Sequence, residues 1–257
     1  MIDTHSHLFV EEFTEDLPAV IDRARTAGVS KVFMPNIDDT TVKVMLDVCT
    51  AYQGYCFPMI GFHPTSVDSD SLSRIHKMKE MLSGEHPFIA IGEVGMDLYW
   101  DKTYLKEQQK ALDIQIQWAL EYRLPLVLHC REAFPELFEV MEPYKNTELS
   151  GVFHSFTGTL EEAGQVLEYP RFFFGINGVV TFKKSKLPEI LTQIPLGRIV
   201  LETDSPYLSP IPFRGKRNES SYIKNVAEKL AGIYDMDFEN IDRITTNNAL
   251  KVFKMSE

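Results

Sequence analysis

Eight short apolar segments with strand character alternate with helical segments, and this alternation constrains the fold more than any other feature. Short apolar runs indicate buried strands, whereas apolar residues at helical spacing indicate helices packed on one face. The predicted strands are residues 1–4, 31–35, 57–60, 88–92, 126–129, 151–154, 172–175 and 199–203. Helix signals lie in each gap, so the pattern predicts a parallel sheet with crossover helices.

The number of alternations favours a closed sheet over an open one. The predicted helices are residues 18–27, 38–51, 68–82, 104–122, 132–141, 160–167, 186–193 and 219–231, with a ninth at 238–253. Eight strand and helix units in 257 residues predict a single (β/α)8 TIM barrel over residues 1–257 with an extra C-terminal helix. An open dinucleotide-binding sheet is disfavoured because no Gly-x-Gly-x-x-Gly follows the first strand. Residues 205–218, with three prolines, are predicted to form a long loop.

Composition limits the class of protein. Hydrophobic residues make up 44% and charged residues 25% of the chain, as in an ordinary globular domain. The three cysteines lack Cys-x-x-Cys spacing, which argues against a disulfide framework and favours a reducing compartment. No apolar run has the roughly 18 residues of a spanning helix, and no leader precedes the first strand. We therefore expect a cytoplasmic protein without a membrane partner.

The net charge of -11, from 26 basic and 37 acidic residues, argues against broad electrostatic capture of nucleic acid. A polyanionic substrate stays open, because bound cations would invert the local potential. No long exposed apolar stretch indicates an obligate protein partner.

A His-x-His pair lies at the end of the first predicted strand. Side chains alternate between the faces of a strand, so His5 and His7 project to the same side and can bind one metal ion. An isolated pair is also consistent with a chance occurrence. The residues at the other strand ends therefore decide whether the His-x-His pair is part of a metal site.

Histidines and carboxylates also occur where the other strands are predicted to end. They are His63, Glu93, His129, His154 and Asp204. The carboxyl ends of all strands in a parallel barrel open onto one face, where active sites lie. Each residue taken alone could instead be a helix cap or a core residue. The whole set together predicts one functional site at this mouth of the barrel.

The donor atoms indicate which ions such a site would take. Histidine nitrogens and carboxylates suit Zn, Mn, Fe, Co or Ni, and a carboxylate-bridged pair also accepts Mg. Because Glu93 is central, with candidate ligands on both sides, two divalent ions are expected rather than one. Bridging carboxylates place two ions about 3.5–4 Å apart around a hydroxide, as in phosphoester and amide hydrolysis.

The candidate ligands lie in motifs that resemble those of a known family. The motifs are Asp3-Thr4-His5-Ser6-His7, Gly61-Phe62-His63-Pro64, Gly92-Glu93-Val94-Gly95-Met96-Asp97, His129-Cys130-Arg131, His154-Ser155-Phe156-Thr157-Gly158 and Glu202-Thr203-Asp204-Ser205-Pro206-Tyr207-Leu208. In this order and spacing they resemble the TatD family of metal-dependent deoxyribonucleases, within the amidohydrolase-like barrels. The loop at residues 212–218 is also similar, so the resemblance extends from Met1 to about the last helix.

The resemblance implies a two-metal barrel with phosphodiesterase activity on DNA, commonly 3′ to 5′ exonucleolytic. It implies that one ion is held by His5, His7, Glu93 and Asp204, and the other by Glu93, His129 and His154. This sequence departs from the family pattern at three positions that are not ligands. Ser155 stands where a cysteine is frequent, while Leu98 and Trp100 replace a more common Tyr and Arg. The last change removes a positive charge near the mouth and bears on substrate preference.

Catalytic roles are expected at three residues of the set. A metal-bridged water would attack phosphorus, with Glu93 between the ions and Asp204 orienting the water and accepting its proton. Asp204 serving only as a ligand is the alternative. His63 lies in a turn before Pro64 and is expected to contact the phosphate or leaving group, the alternative being a turn-stabilising histidine.

Two acids are predicted to lie below the ions. Asp3 shares a strand face with His5, and Glu202 shares one with Asp204, so both should point into the barrel. Buried carboxylates need partners, and orienting a ligand histidine is a common use. An interior ion pair unrelated to metal is the alternative.

Substrate contacts are predicted near the mouth. Arg131 and Ser205 closely follow candidate ligands, and Arg214, Lys216 and Arg217 place three positive charges in the loop after the last strand. A solvated basic loop is the alternative for that charge run. Four aromatic residues could either stack on a base or pack in the core or rim: Phe62, Tyr99, Trp100 and Phe156. The expected substrate is single-stranded DNA or a small phosphodiester.

Two other functions fit parts of the sequence. The same metal pair could hydrolyse a lactone, amide or aminoacyl ester, but many such barrels bridge their metals with a carboxylated lysine, whereas this chain has Glu93. A non-enzymatic metal-binding adaptor is the other alternative, and the complete ligand set argues against it.

Overall fold

The structure is a computed structural model that describes residues 1–256 and contains eight parallel strands within them. The strands are β1 (Ile2–Asp3), β2 (Lys31–Pro35), β3 (Cys56–Met59), β4 (Ile91–Asp97), β5 (Leu126–Arg131), β6 (Gly151–Phe153), β7 (Phe172–Ile176) and β8 (Ile199–Leu201). They form two sheets, ordered β1-β2-β3 and β4-β5-β6-β7-β8. Each strand therefore pairs with its neighbour in sequence, as crossover helices require.

Backbone contacts join the two sheets at both seams. A parallel bridge links Ile60, just after β3, to Ile91 of β4. At the other seam, Thr4 donates to the carbonyl of Leu201 at 3.0 Å and Asp204 donates to the carbonyl of His5 at 2.9 Å. These contacts join the sheets around the ring, and the predicted (β/α)8 fold is confirmed.

Helices follow the strands and pack around the sheet. They are α1 (Leu17–Thr26), α2 (Val42–Ala51), α3 (Ser71–Met78), α4 (Leu105–Glu121), α5 (Phe134–Met141), α6 (Leu160–Leu167), α7 (Leu187–Leu191), α8 (Ile223–Tyr234) and α9 (Phe238–Val252). Several start later than predicted, because polar residues bind the preceding turn instead of continuing the helix. Before α2, for example, the Thr41 hydroxyl accepts the backbone N–H groups of Ile37 and Asp38. Among the described helices, none combines the length and apolarity needed to cross a bilayer.

The fourth strand differs from its prediction. It runs from Ile91 to Asp97 rather than from 88 to 92, so Glu93 lies inside the strand and not at its end. Pairing with β5 continues to Asp97, after a register shift between Ile91 and Val94. The apolar run stops early because Gly92 and Glu93 interrupt it. Gly95, further along the strand, has a φ of 145°, and a Cβ there would lie 2.0 Å from the carbonyl oxygen of His129. Close contact between the two strands thus requires glycine there.

The N-terminal end of the barrel is filled with apolar side chains. One comes from each strand, or from the residue just before it: Ile2, Phe33, Met59, Ala90, Val127, Val152, Phe173 and Val200. Helix α9 covers this layer, with the Phe253 ring at its end 4.6 Å from that of Phe33. The Asn248 amide also donates to the Ile199 carbonyl at 2.8 Å. The extra C-terminal helix therefore closes this end of the barrel.

Candidate metal centre

Two histidines of the first strand segment converge with two carboxylates at the C-terminal end of the barrel. The Nε2 atoms of His5 and His7 lie 3.2 Å apart. Glu93 Oε2 is 3.1 Å from His5 Nε2, and Asp204 Oδ1 is 3.6 Å from His7 Nε2. Four donor atoms, from the segments just after β1 and β8 and from β4 itself, thus face one another.

This group fits a cation better than a network of hydrogen bonds. His5, His7 and Glu93 are buried, and their ligand atoms all lie within 4.8 Å of one another, close enough to hold one metal ion. Burial, with the neighbouring His154, lowers the pKa of His5, which favours a neutral ring able to act as a ligand. Burial opposes ionisation of Glu93, but the imidazoles of His63, His154 and His5 outweigh it and hold its pKa well below the ordinary value. A neutral His5 ring beside an ionised Glu93 offers suitable ligands for a divalent metal.

The other oxygen of Glu93 faces a second set of imidazoles. Glu93 Oε1 lies 2.8 Å from His129 Nδ1, 3.3 Å from His63 Nε2 and 3.7 Å from His154 Nε2. Asp204 Oδ1 is also 3.7 Å from His154 Nε2, so this acid lies near both sets. The single carboxylate of Glu93 therefore lies between two groups of potential ligands.

Asp97 orients His129, and sequence reasoning assigned it no role. Its Oδ2 is 2.9 Å from His129 Nε2, while its Oδ1 accepts the backbone N–H groups of Tyr99 and Trp100 at 3.0 and 3.3 Å. Burial lowers the pKa of His129, but Asp97 and Glu93 reverse the shift and raise it to about 9. A signal was available, because strand alternation places Asp97 on the same face as Glu93.

Glu202 points into the barrel and lies against His154. Its Oε1 lies 3.0 Å from His154 Nδ1, although the direction is not that of a hydrogen bond, and accepts the backbone N–H of Ser155 at 2.6 Å. Burial lowers the pKa of His154, but Glu202, Glu93 and Asp204 together raise it to about 10. A Cβ on Gly175 would lie 2.3 Å from Glu202 Oε2, so glycine there leaves room for this carboxylate.

Asp3 is buried in the barrel but contacts no histidine ring. Its carboxylate accepts the backbone N–H of Thr203 at 2.9 Å and the Thr203 hydroxyl at 2.7 Å. Burial raises the pKa of Asp3 to about 7. The structure thus connects Asp3 to the residue before Asp204 rather than to the ring of His5.

His63 has the hydrogen-bond pattern of a proton donor. Its Nδ1 accepts the backbone N–H of Thr65 at 3.2 Å, so a neutral ring carries its proton on Nε2, which faces Glu93. Burial, partly offset by Glu93, lowers the pKa of His63 and favours that neutral form. His63, Glu93 and His129 lie close enough to hold a metal, but a protonated Nε2 is not a ligand.

A cavity of about 580 Å³ opens above these residues. It is lined by His7, His63, Thr65, Glu93, Asp97, Trp100, His129, Cys130, Arg131, His154, Ser155, Thr157, Val179, Asp204, Tyr207 and Leu208. Two aromatic rings of the lining are open to solvent, since Trp100 is 69% and Tyr207 49% exposed. The Arg131 guanidinium lies 3.7 Å above the Tyr99 ring and 5.3 Å above that of Trp100. One side of the mouth therefore carries a cation stacked on aromatic rings.

Comparison with known proteins places this site in a family. The model of the TatD related DNase family matches residues 2–254. The chain belongs to the TatD family. Over 257 residues it is 36% identical to the uncharacterized metal-dependent hydrolase YabD of Bacillus subtilis, covering 100% of both chains. It is 32% identical to the 3'-5' ssDNA/RNA exonuclease TatD of Pantoea ananatis, covering 98% of this chain and 99% of that protein.

A solved structure agrees with this assignment. The TatD homologue YjjV of Escherichia coli superposes with a TM-score of 0.89 at 27% identity, covering 100% of this chain and 98% of that one. The protein is therefore a TatD-family metal-dependent hydrolase with an amidohydrolase-like barrel.

Four of the predicted substrate residues of this TatD protein do not line the cavity. Ser205 is buried, with its hydroxyl 2.6 Å from that of Thr203. The Arg214 guanidinium stacks on Phe182 at 3.7 Å, and Arg217 pairs with Asp16 at 2.8 Å. Lys216 is exposed and lines a separate cleft between the long loop and α1. Substrate contact by these four residues stays a prediction, and their positions outside the cavity lining do not support it.

The predicted stacking residues also divide into two kinds. Phe62 and Phe156 are buried, at 1% and 2% exposure, and pack in the core. Tyr99 and Trp100 lie at the surface beside Arg131. Two of the departures from the TatD pattern also differ in exposure. Leu98 is buried, whereas Trp100 lies at the mouth of the cavity. Arg131 supplies a positive charge beside Trp100.

Proposed function

We propose that the protein is a two-metal deoxyribonuclease that shortens single-stranded DNA from its 3′ end. The observation that supports it most is the position of Glu93, whose two oxygens face separate groups of histidines. In two-metal hydrolases, a bridging carboxylate of this kind holds the pair of cations that activates water against a phosphodiester. The Pantoea ananatis relative is named as a 3'-5' ssDNA/RNA exonuclease, which also motivates this choice of substrate.

The donor groups divide between two cations in this proposal. His5, His7, Glu93 and Asp204 would hold one, and Glu93, His129 and His154 the other. Bound divalent cations would polarise the phosphate and lower the pKa of water. Asp97 and Glu202 would fix the rings of His129 and His154, so that each presents a lone pair to the metal.

Asp204 and His63 would handle the protons. Burial opposes ionisation of Asp204, but His154, His7 and His5 keep its pKa below the ordinary value, so the carboxylate is ready to orient water and accept its proton. Nε2–H of His63 would donate to the phosphate or to the leaving oxygen. His63 lies 3.3 Å from Glu93, and Asp204 lies 3.6 Å from His7, so both line the cavity beside the proposed cations.

The rim of the cavity would bind the strand. Arg131 would contact a phosphate, while the exposed rings of Trp100 and Tyr207 would stack on splayed bases. Such stacking requires unpaired bases, which favours single-stranded over duplex DNA. We also propose that the protein acts on DNA in the cytoplasm, without a membrane partner.

Nuclease assays on single-stranded DNA labelled at either end test the proposal. With Mg²⁺ or Mn²⁺, a 5′-labelled strand should give a ladder of shortening products, while a 3′-labelled strand should release labelled mononucleotide at once. Glu93→Ala should abolish both patterns, and the exposed Glu239→Ala should change neither. Glu93-dependent hydrolysis of carboxylic esters, with DNA left intact, would contradict the nuclease proposal and favour a carbonyl hydrolase.

A further inference from the structure

A second cavity lies at the opposite end of the barrel from the metal centre. It has a volume of about 780 Å³ and is lined by residues that precede strands, among them Arg123, Arg171 and Arg198. These come before β5, β7 and β8, whereas His129 and Asp204 lie toward or beyond the other ends of β5 and β8. The last turn of α9, with Lys251, forms the remaining wall.

The lining of this cavity is strongly basic in an acidic protein. Five cationic side chains line it against one carboxylate: Arg123, Arg171, Arg198, Lys251 and Lys254 against Glu148. Glu148 is already paired with Arg171 at 2.8 Å. The other four cations have no carboxylate partner within residues 1–256, which is unexpected in a chain with 37 acidic residues, because like charges repel.

Arg198 is held in place without a counter-ion. It is partly buried, and its guanidinium donates to the carbonyls of Phe172 at 2.6 Å and Tyr169 at 2.7 Å. Burial lowers the pKa of this group, and no carboxylate among residues 1–256 pairs with it. A desolvated guanidinium fixed in this way is suited to accept a planar or tetrahedral anion at its remaining N–H groups.

Two further cations are available to the same anion. Within residues 1–256, the side chains of Arg123 and Lys251 make no ion pair and no hydrogen bond, whereas the Lys254 ammonium donates to the Arg123 carbonyl at 2.6 Å. Both available side chains are exposed at the rim. They can therefore reach a bound anion without breaking any contact of the fold.

The wall between these cations is apolar. Leu120, Leu124, Phe173 and Val252 line the cavity beside them. The cations surround a single concave cavity rather than forming a track along the surface, and its volume lies in the usual range for small-molecule sites. An anion with an apolar part matches this surface better than an inorganic ion or a nucleic-acid strand.

We propose that this cavity binds a small organic phosphate, in which a phosphate group is joined to an apolar or aromatic part. The phosphate would lie among Arg198, Arg123 and Lys251, and the apolar part would contact the half-buried Leu120 and Leu124. The site does not depend on the metal centre, so binding here and phosphodiester hydrolysis at the mouth can be tested separately.

Calorimetric titration of the EDTA-treated protein with adenosine monophosphate tests this site. The variant R123Q/K251Q removes the two free cations, and K110Q/K229Q removes two exposed charges elsewhere as the matched control. We expect one bound nucleotide per chain, binding weakened about tenfold or more in R123Q/K251Q, and unchanged binding in the control. Each lost charge-assisted hydrogen bond is large enough to account for such a change.

Three further probes distinguish the possible ligands. Adenosine without phosphate should not bind, and inorganic pyrophosphate should bind more weakly than the nucleotide because it leaves the apolar wall uncovered. Binding unchanged in R123Q/K251Q would place the nucleotide elsewhere and overturn the proposal. Binding of a single-stranded oligonucleotide but not of the mononucleotide would overturn it in favour of a nucleic-acid contact. The variant R123Q/K251Q should retain the full hydrolytic activity of the metal centre, because neither residue lines the cavity there.

Discussion

The interior of the barrel is apolar at one end and polar at the other. Beneath α9, each strand or the residue before it contributes an apolar side chain to a dry layer, whereas at the mouth the buried groups are imidazoles and carboxylates. At the mouth, the Nδ1 atoms of His5 and His7 and Oε2 of Glu202 have no hydrogen-bond partner within residues 1–256. Unpaired buried polar atoms cost stability, while buried apolar surface supplies it. The comparison indicates that one end maintains the fold and the other performs the chemistry.

Replacing Glu93 should have the largest effect on activity and little effect on folding. Glu93→Gln removes the charge that faces both groups of histidines, and we expect kcat/KM to fall by about 10⁴-fold, near 5.5 kcal/mol of transition-state stabilisation. The melting temperature of the metal-free variant should fall by less than that of Phe253→Ala, because only the pairing of Glu93 with its histidines is lost. Steady-state hydrolysis of a p-nitrophenyl phosphodiester and thermal denaturation in EDTA measure the two effects. A large loss of stability would contradict the division between the two ends.

Replacing Phe253 should have the reverse effect. Phe253→Ala leaves a cavity under the barrel, and we expect a loss of about 3–5 kcal/mol in the free energy of unfolding. For a chain of this size, the melting temperature should fall by roughly 10 °C. Below the transition, kcat should match that of the wild type, because Phe253 contacts the layer of Phe33 and not the metal centre. A matching loss of kcat would show that the two ends are coupled.

Replacing Asp97 should weaken the metal centre without removing a ligand. In Asp97→Asn, the amide oxygen can still accept from His129 Nε2, but the negative charge that holds the ring is lost. We expect metal affinity to decrease by about 10–100-fold, as for other groups that orient metal ligands. Activity at saturating metal should be largely restored, which separates positioning from direct chemistry. Metal titration followed by activity measures both, and unchanged affinity would exclude the positioning role.

The polar end should also give the metal-free protein a distinct dependence on pH. The folded-state pKa values of His129 and His154, about 9 and about 10, lie above the ordinary 6.5. Their contribution to stability is therefore complete below about pH 6.5 and is lost as the pH rises through 9 to 10. The melting temperature in EDTA should fall across that window, and less steeply in His129→Gln/His154→Gln. If the melting temperatures of the wild type and the double variant fell equally with pH, the raised pKa values of His129 and His154 would be contradicted.

The smallest effect is expected at the basic loop. Arg217 is paired with Asp16 near the surface, and such pairs contribute about 0–1 kcal/mol. Arg217→Gln should therefore change stability slightly and DNA hydrolysis less than twofold, whereas Arg131→Gln should raise the KM for DNA. Initial rates at several DNA concentrations compare the two variants. A larger effect from Arg217→Gln than from Arg131→Gln would support the predicted contact between the loop and the substrate.

The sequence predicted the eight strands and the gathering of the ligand residues, because apolar runs and polar strand ends are local signals. It did not predict the length of β4, since Gly92 and Glu93 end the apolar run, while the closeness of Gly95 to β5 keeps the strand paired. Nor did it predict that Asp16 neutralises Arg217, because the two are brought together only by the fold. The role of Asp97 was accessible from strand alternation, but its contact with His129 required the register between β4 and β5.

Anomalous diffraction from crystals soaked in Mn²⁺ tests the central claim most directly. The account predicts two peaks about 3.5–4 Å apart, one on each side of Glu93, with His5 and His7 at one and His129 and His154 at the other. A single peak, or a pair that Glu93 does not bridge, would contradict it.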